Sequence, residues 1–316
     1  MPAAKLGRGT FIKIGAESSW GSAGSTGVSN RIISESLMRN QERTQKNHLS
    51  TSGGVFAFDT FDGMEICEGS IELPIHYSGN GLLIKHACGA VSAAADGSLF
   101  MNTYTPVDEL PSLTIDLQRG NNTSEKFLGC IVSSWSLSCE AGGQMIGTFN
   151  FIAKTAETRD AAITASFNNA NKPVLHHECL TMDFNSVNYN IRSFTFNVDN
   201  KIERRDLLGS KLTAQPATTD LREVTMEVTA DYESDDLYNA QLAGTISNLD
   251  LQFDASTGES FIFTLFDAQI ISYNDDISTV GRIERTMTFQ GFADIGGAHD
   301  AYQIRIKNGD NGGVAN

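Results

Sequence analysis

The chain lacks most of what would make it a membrane protein, a nucleic-acid grip or a recognisable enzyme. No apolar run in its 316 residues approaches the length of a membrane span. The start Met1-Pro-Ala-Ala-Lys5 has no apolar stretch of the kind that forms a secretion signal, so none is expected. Basic residues are scarce: 23 Lys and Arg stand against 38 Asp and Glu, a formal net charge of -15. A protein that grips DNA by its phosphates needs the opposite balance, because its affinity comes from cations displacing counterions. The deficit does not exclude DNA sliding past an acidic wall. No P-loop, Rossmann glycine fingerprint or Ser-His-Asp signature is present. Such negatives weigh modestly, since geometry rather than sequence defines many sites. Cysteine is odd in number (Cys67, Cys88, Cys130, Cys139 and Cys179) and shows no short metal-ligand spacing. That pattern reads as reduced, partly buried thiols made in a cytoplasm.

What is present is alternation. Hydrophobic residues make up 40% of the chain, enough for a real core, and the length suggests about two domains. Ile71, Leu73, Ile75 and Tyr77 fall on one face of a period-two run, with Glu72, Pro74 and His76 on the other. Phe194, Phe196 and Val198 repeat the pattern, as do Leu113-Thr-Ile-Asp-Leu117, Leu249-Asp-Leu-Gln-Phe253, Thr148-Phe-Asn-Phe151 and Thr286-Met-Thr-Phe289. Period two with β-branched and aromatic residues predicts antiparallel strands with one buried and one wetted face. The expected fold class is mainly β.

The alternation is organised as a repeat. Glu68 to Gly89 aligns with Glu223 to Gly244 without a gap, placing Glu72 on Glu227, Tyr77 on Tyr232 and Leu82 on Leu237. Each block reads as a strand followed by a helix, with Ser78 or Ser234 as N-cap and Gly89 or Gly244 as the stop. Leu82, Leu83 and Ala87 form one apolar helix stripe; Leu237, Ala240 and Leu242 form the other. Leu37-Met-Arg-Asn-Gln-Glu-Arg43 resembles Val198-Asp-Asn-Lys-Ile-Glu-Arg204, and Glu125 to Leu137 resembles Glu259 to Ile271. Both copies close on a strand ending Phe-x-x-x-Ala, at Phe149 to Ala153 and Phe289 to Ala293. The offset drifts from about 161 to about 134 residues, so loop lengths differ while order is kept. The boundaries expected are a first unit over 1–155, a linker over 156–180 and a second unit over 181–316. The Gly/Ser-rich start, including Gly15 to Gly27, reads as an extended arm or a disordered tail. The end from Lys307 reads as a loose tail.

Candidate chemical clusters are weak. In His176-His177-Glu178-Cys179, adjacent strand residues would point to opposite faces, and no second ligand pair follows, so a structural role outweighs zinc. Cys130 and Cys139 could pair only from adjacent strands. Asp235-Asp236 and Asp275-Asp276 read as turn or capping pairs rather than a cation site. Asn121-Asn-Thr123 is a glycosylation sequon by pattern alone. Trp20 and Trp135 read as core or subunit contacts. A doubled β-unit without a catalytic constellation points to a structural building block that is not an enzyme.

The opening Ile14-Gly-Ala-Glu-Ser-Ser-Trp-Gly-Ser-Ala-Gly24, the segment Ser34 to Arg43 and the strand Glu68-Gly-Ser-Ile-Glu-Leu-Pro-Ile75 resemble, in order, the elements of tail tube proteins from long non-contractile-tailed bacteriophages. The resemblance runs from about Gly9 to Ala293, and its motifs are loose. It implies a small β-sandwich or barrel with a flanking helix, assembled as rings stacked into a tube in the virion tail. The tube conducts DNA and encloses a tape-measure protein, and neither is bound specifically. It implies no catalytic residue, cofactor, metal or membrane. A doubled chain would close as a trimer with pseudo-sixfold symmetry; a hexamer is the alternative. Candidate lumen-facing residues are Glu72, His76, Glu227, Thr229 and Asp231. Candidate inter-ring contacts are Trp20, Gln41, Glu42, Arg43, Lys46 and His48. The rival readings are a tail terminator or contractile-tail tube protein, a β-sandwich carbohydrate-binding module or adhesin, and an enzyme whose site leaves no mark in the sequence.

Overall fold

A computed structural model describes residues 7–45, 59–120, 123–167, 172–275 and 283–313. The first half contains β1 (Phe11–Ala16), β2 (Ser29–Arg31), β3 (Ser34–Glu35), β4 (Met38–Gln45) and β5 (Thr60–Pro74). It continues with α1 (Gly81–Cys88), β6 (Gly89–Asp96), β7 (Leu99–Pro106), β8 (Leu113–Arg119), β9 (Thr123–Glu140), β10 (Ile146–Ala153), β11 (Thr155–Ala156) and β12 (Asp160–Ala161). The second half contains β13 (Cys179–Phe184), β14 (Val187–Tyr189), β15 (Ile191–Asp199), β16 (Ile202–Arg205), β17 (Ala214–Thr218) and β18 (Glu223–Asp231). It ends with α2 (Asp236–Ala243), β19 (Ile246–Asp254), β20 (Ser260–Asn274), β21 (Glu284–Gln290) and β22 (Tyr302–Asn308). Every pairing among these strands is antiparallel, as the alternating sequence requires.

The pairing order of the first half recurs in the second. Reading across strands, β2–β1–β8–β9–β10–β5–β4 corresponds to β14–β13–β19–β20–β21–β18–β15. In each set one long strand, β9 or β20, changes neighbours midway. The change falls at a left-handed residue: Gly129 (φ 65°) in β9 and Asp267 (φ 45°) in β20. At Gly129 a Cβ would lie 2.9 Å from both Lys154 Cβ and Trp20 Nε1, so a side chain is excluded there.

One buried cluster runs through both halves. Trp135 of β9 stacks on Phe149 of β10 (6.0 Å) and meets Phe196 of β15 (5.4 Å) and Tyr302 of β22 (6.2 Å). Rings in such arrangements stabilise by about 0.5–1.5 kcal/mol per pair beyond the area they bury. The halves are joined twice by strand pairing, β9 to β15 and β7 to β22. The segment expected as a linker is packed where it is described: β11 and β12 pair with β9, and Val174 is fully buried.

Several expectations are corrected. The arm is not loose. Ile12 and Ile14 of β1 are in the core, and β1 lies between β2 and β8. The Glu17 carboxylate accepts bonds from the Gly21 and Gly129 N–H groups and from the Ser112 and Thr114 hydroxyls, pinning the Gly/Ser stretch to β8 and β9. Removing residues 1–28 therefore removes a core strand. The end is tied in as well: β22 pairs with β20 and β7, and the Asn308 amide donates to the Tyr77 carbonyl at 2.5 Å. The residues at the N-cap positions are Asn80 and Asp235, not Ser78 and Ser234, and neither makes a side-chain capping bond. Asn80 instead accepts from the His76 N–H. Gly89 and Gly244 do end the helices, with φ of 127° and 63°. Leu242 is 64% exposed rather than packed, and Tyr232 is exposed where its counterpart Tyr77 is buried. Tyr232 donates its hydroxyl to Asp235 and covers the buried Arg285 guanidinium.

Candidate assembly interface

The polar faces of the matched strands join into continuous rows. In the first half Ser34, Glu72, Thr148 and Ser136 stand opposite one another across β3, β5, β10 and β9. In the second, Thr195, Glu227, Thr288 and Ser272 do so across β15, β18, β21 and β20. The two rows meet at the β9–β15 junction, but not end to end. Ser136 faces Asn197, and Thr195 faces Ser138, a step of two residues along the strand. Behind the rows, Ile71, Leu73, Phe149, Leu137, Phe196, Met226, Val228 and Phe289 face the core. The period-two reading therefore holds along Ile71–Leu73, Phe194–Val198 and Val224–Ala230. But Leu113–Leu117 of β8 buries both faces, Thr114 and Asp116 included, because β8 is covered on each side, and β10 buries Phe151, Ile152 and Ala153 in succession.

Most candidate lumen residues lie on this polar face. Glu72 accepts from the Ser34 hydroxyl, and Thr229 approaches Thr286 at 3.4 Å between hydroxyl oxygens. Asp231 sits 3.8 Å from Arg192 at the rim. His76 lies past the end of β5, where it bridges to Pro173; its Nδ1 is 3.1 Å from the Pro74 carbonyl, and burial lowers its pKa. The candidate inter-ring residues divide. Gln41, Glu42 and Arg43 lie on β4, which is largely exposed along its whole length. The Gln41 amide donates to the Gly63 carbonyl at 2.9 Å, and Arg43 stands 3.7 Å from Asp62. Lys46 and His48 lie outside the described residues, as do Asn121 and Asp276. Trp20 is half-buried, donates Nε1–H to the Gly129 carbonyl at 3.2 Å and carries Lys154 over its ring at 4.7 Å. Beside β5 stands the β16–β17 hairpin, through a Lys211–Asp62 ion pair at 3.0 Å and a Glu65 N–H bond to the Lys211 carbonyl. The fully exposed Leu208 lies in the loop of that hairpin; sequence reading did not single it out.

The chemical candidates resolve as structural. His176, His177 and Glu178 form a short 3-10 turn rather than a strand, and Glu178 accepts from the Tyr77 hydroxyl and the Leu175 N–H. Among the described residues no three His, Cys, Asp or Glu side chains converge as a metal site. Cys130 and Cys139 share strand β9, and all five thiols are free. Burial pushes Cys67 and Cys88 up to about 12, and Cys139 and Cys179 to about 11.

The feature that remains is a pair of open edges. Among the described residues, no strand pairs with Ile270–Tyr273 of β20 on the side away from β21, or with the outer edge of β3 and β4. Open backbone groups in a row template further pairing. Around the β20 edge, Tyr238, Leu242, Ile246 and Ile271 are exposed; around the other, Ile33 and Met38 are at least half exposed. Single exposed apolar residues are ordinary, but these cluster at the strand ends that lack neighbours. No described helix is long and apolar enough to cross a membrane.

Among the described residues, an open strand edge at each end of one sheet offers backbone groups to which a further strand can pair. The model of the family described as phage tail tube protein matches residues 7–291. The chain belongs to that family. Membership makes it a structural protein of the virion tail that self-associates into a tube. No curated protein matches the chain.

Proposed function

We propose that three copies of this chain close into a ring of six equivalent units, that the rings stack, and that DNA passes through the lumen. The two units descend from a tandem duplication. The observation that carries this reading is the β9–β15 junction, where the edge of one unit is sealed by the first inner strand of the next. The open β20 edge corresponds to that of β9, and β3 and β4 correspond to β15. Repeating the internal junction between chains sets Ser34 of one copy opposite Asn274 of the next, as Thr195 stands opposite Ser138. Such a head-to-tail contact makes a ring when its rotation closes.

The two-residue step gives the ring its dimensions. Four inner strands per unit make 24 strands for six units, and six steps make a total stagger of about 12 residues. With strands ~4.8 Å apart and a rise of ~3.3 Å per residue, the strands tilt by ~20° and the barrel is ~39 Å across between backbones. Inward side chains leave a lumen of roughly 25–30 Å, wide enough for a B-form duplex. The same step keeps equivalent residues level, so Glu72 and Glu227 form one layer of carboxylates. An acidic wall keeps phosphate from adhering as DNA passes. The enclosed tape-measure protein meets the same polar surface. The distal β4–β5 and β16–β17 hairpins reach toward the next ring. No step of this function is catalytic.

Electron microscopy of the expressed chain should show tubes with threefold or pseudo-sixfold rings. Ser34→Cys with Asn274→Cys should cross-link chains into trimers on mild oxidation; monomers alone would overturn the ring register. Glu72→Lys with Glu227→Lys should leave tubes intact and slow genome delivery. Normal delivery by that variant would remove β5 and β18 from the lumen wall.

A further inference from the structure

We infer that the C-terminal end of α2 in one chain docks on Arg39 of the next, whose guanidinium donates to the last carbonyls of the helix. The inference rests on the ring reading and deepens it, because it names the group that covers the bare helix. The template lies inside the chain. Asn200, fully buried, donates to the carbonyls of Ala87 in the last turn of α1 and of Val132 in β9. Its counterpart is located by interval and by register. Arg39 follows Ser34 as Asn200 follows Thr195, and Met38–Glu68 is the rung equivalent to Asp199–Glu223. Likewise Leu242 precedes Gly244 as Ala87 precedes Gly89. Repeating the internal junction between chains therefore brings Arg39 of one copy to the last turn of α2 in another.

Both partners suit that contact. In α2 the Gly244 N–H turns back to the Ala240 and Gln241 carbonyls and the Thr245 N–H to that of Ala240; among the described residues no group donates to the Leu242 carbonyl. α1 carries Lys85 and His86 in its last turn, and α2 carries no basic residue there. The partial negative charge at the end of α2 is thus left without a cation of its own helix. Arg39 supplies one. Its side chain is 40% exposed. Nη1 donates to the Ala156 carbonyl at 3.0 Å and Nη2 to the Glu65 carboxylate at 2.7 Å, which holds the guanidinium between β11 and β5 beside the open edge. A guanidinium carries more N–H donors than these two bonds use. β15 ends at Asp199, so Asn200 turns out of its strand, whereas β4 runs on through Arg39; the long arginine side chain replaces that turn. The chemistry differs as the two junctions require. Asn200 is buried as soon as the chain folds, and a neutral amide suffices. An edge that stands in water before assembly is protected by charge, which discourages the wrong strand from adding.

The test separates this contact from the strand pairing. Ala243 is exposed in the last turn of α2, so a substitution there leaves the core untouched. Ala243→Lys gives the helix its own cation, and the monomer should melt at or above the wild-type temperature. Repulsion of Arg39 should at the same time raise the concentration needed for assembly about tenfold. Arg39→Gln should also weaken assembly, but it takes the guanidinium from Glu65 as well, so the coupling between the two sites is the decisive reading. In Arg39→Gln chains the Ala243→Lys penalty should vanish, a non-additivity that independent sites do not show. The Ser34→Cys, Asn274→Cys cross-link, formed at high protein concentration, reports strand pairing separately. If Ala243→Lys chains assemble at the wild-type concentration, or if the penalty persists undiminished in Arg39→Gln chains, the contact is overturned, and a normal cross-link leaves the ring standing. If the cross-link fails even in chains that carry no other change, the ring reading falls and this contact with it.

Discussion

Helices α1 and α2 have the same length, follow equivalent strands and end on glycine, yet one is inside the protein and the other is not. In α1, Gly81, Leu83, Ile84, His86, Ala87 and Cys88 are buried; in α2 only Leu237 is. The difference lies in what each unit has for a neighbour. Asn200, from the second half, donates to the Ala87 carbonyl at 3.4 Å and to the Val132 carbonyl at 3.0 Å, closing the end of α1. Asn308 and Asp310 reach the Tyr77 carbonyl and the Gly79 N–H just before that helix. Among the described residues α2 has no equivalent of that cover, and Tyr238 and Leu242 stand exposed. The described residues thus display one covered helix and one bare helix, and in the proposed ring a second copy would supply the missing cover.

The sharpest way to break this comparison is to add charge where α2 and β20 are bare. Leu242→Asp with Ile271→Asp should abolish tubes in electron micrographs while the monomer melts within about 0.5 kcal/mol of wild type, because both side chains are exposed. Tubes formed by this variant would mean that the α2 face is not an interface. Truncation of matched helix residues gives the next largest effect. Leu83→Ala should cost about 2–5 kcal/mol in denaturant unfolding, since it opens a cavity in the core. Leu242→Ala in the monomer should cost no more than about 0.5 kcal/mol. Equal costs would remove the distinction between the two helices.

Acid sharpens the comparison least. Burial lowers the pKa of His86 in α1 below its ordinary 6.5, and its Nδ1–H donates to the Leu82 carbonyl at 2.8 Å. The unfolded chain then binds more protons than the folded one as pH falls below about 6.5, so stability drops on acidification. Thermal melts should therefore fall between pH 7 and pH 5, and His86→Gln should flatten that fall. An unchanged slope in the variant would assign the acid sensitivity to other groups.

Much of this was legible in the chain itself, for physical reasons. Strands with one wetted face reveal themselves by period two, and those around Ile71, Phe149, Phe196 and Met226 behave as that period requires. Gly89 and Gly244 announce helix ends because the backbone there adopts positive φ. Other features were hidden. The alternation Phe11-Ile-Lys-Ile14 was masked by the Gly/Ser composition that follows, so β1 was read as part of an arm although Ile12 is fully buried. His176 and His177 carry no signal that separates a 3-10 turn from a strand. Leu242 has the right spacing for an apolar stripe but is 64% exposed, and spacing cannot supply a surface to cover it. The β9–β15 register is likewise invisible, because pairing partners far apart in sequence leave no mark on local periodicity. It follows only when the two polar rows are laid side by side.

The β9–β15 junction also governs counting. In the proposed ring, because this junction is made inside one polypeptide, each arriving chain would deliver two units in a single encounter, and half of the ring's contacts would form without any loss of translational freedom. Units can then be added only in pairs. A ring one unit short or one unit over, an error open to a single-unit protein that assembles by the same contact, would leave half a chain without a place. In that ring, parity built into the backbone would act as an error check on the bore of the tube before any ring has closed.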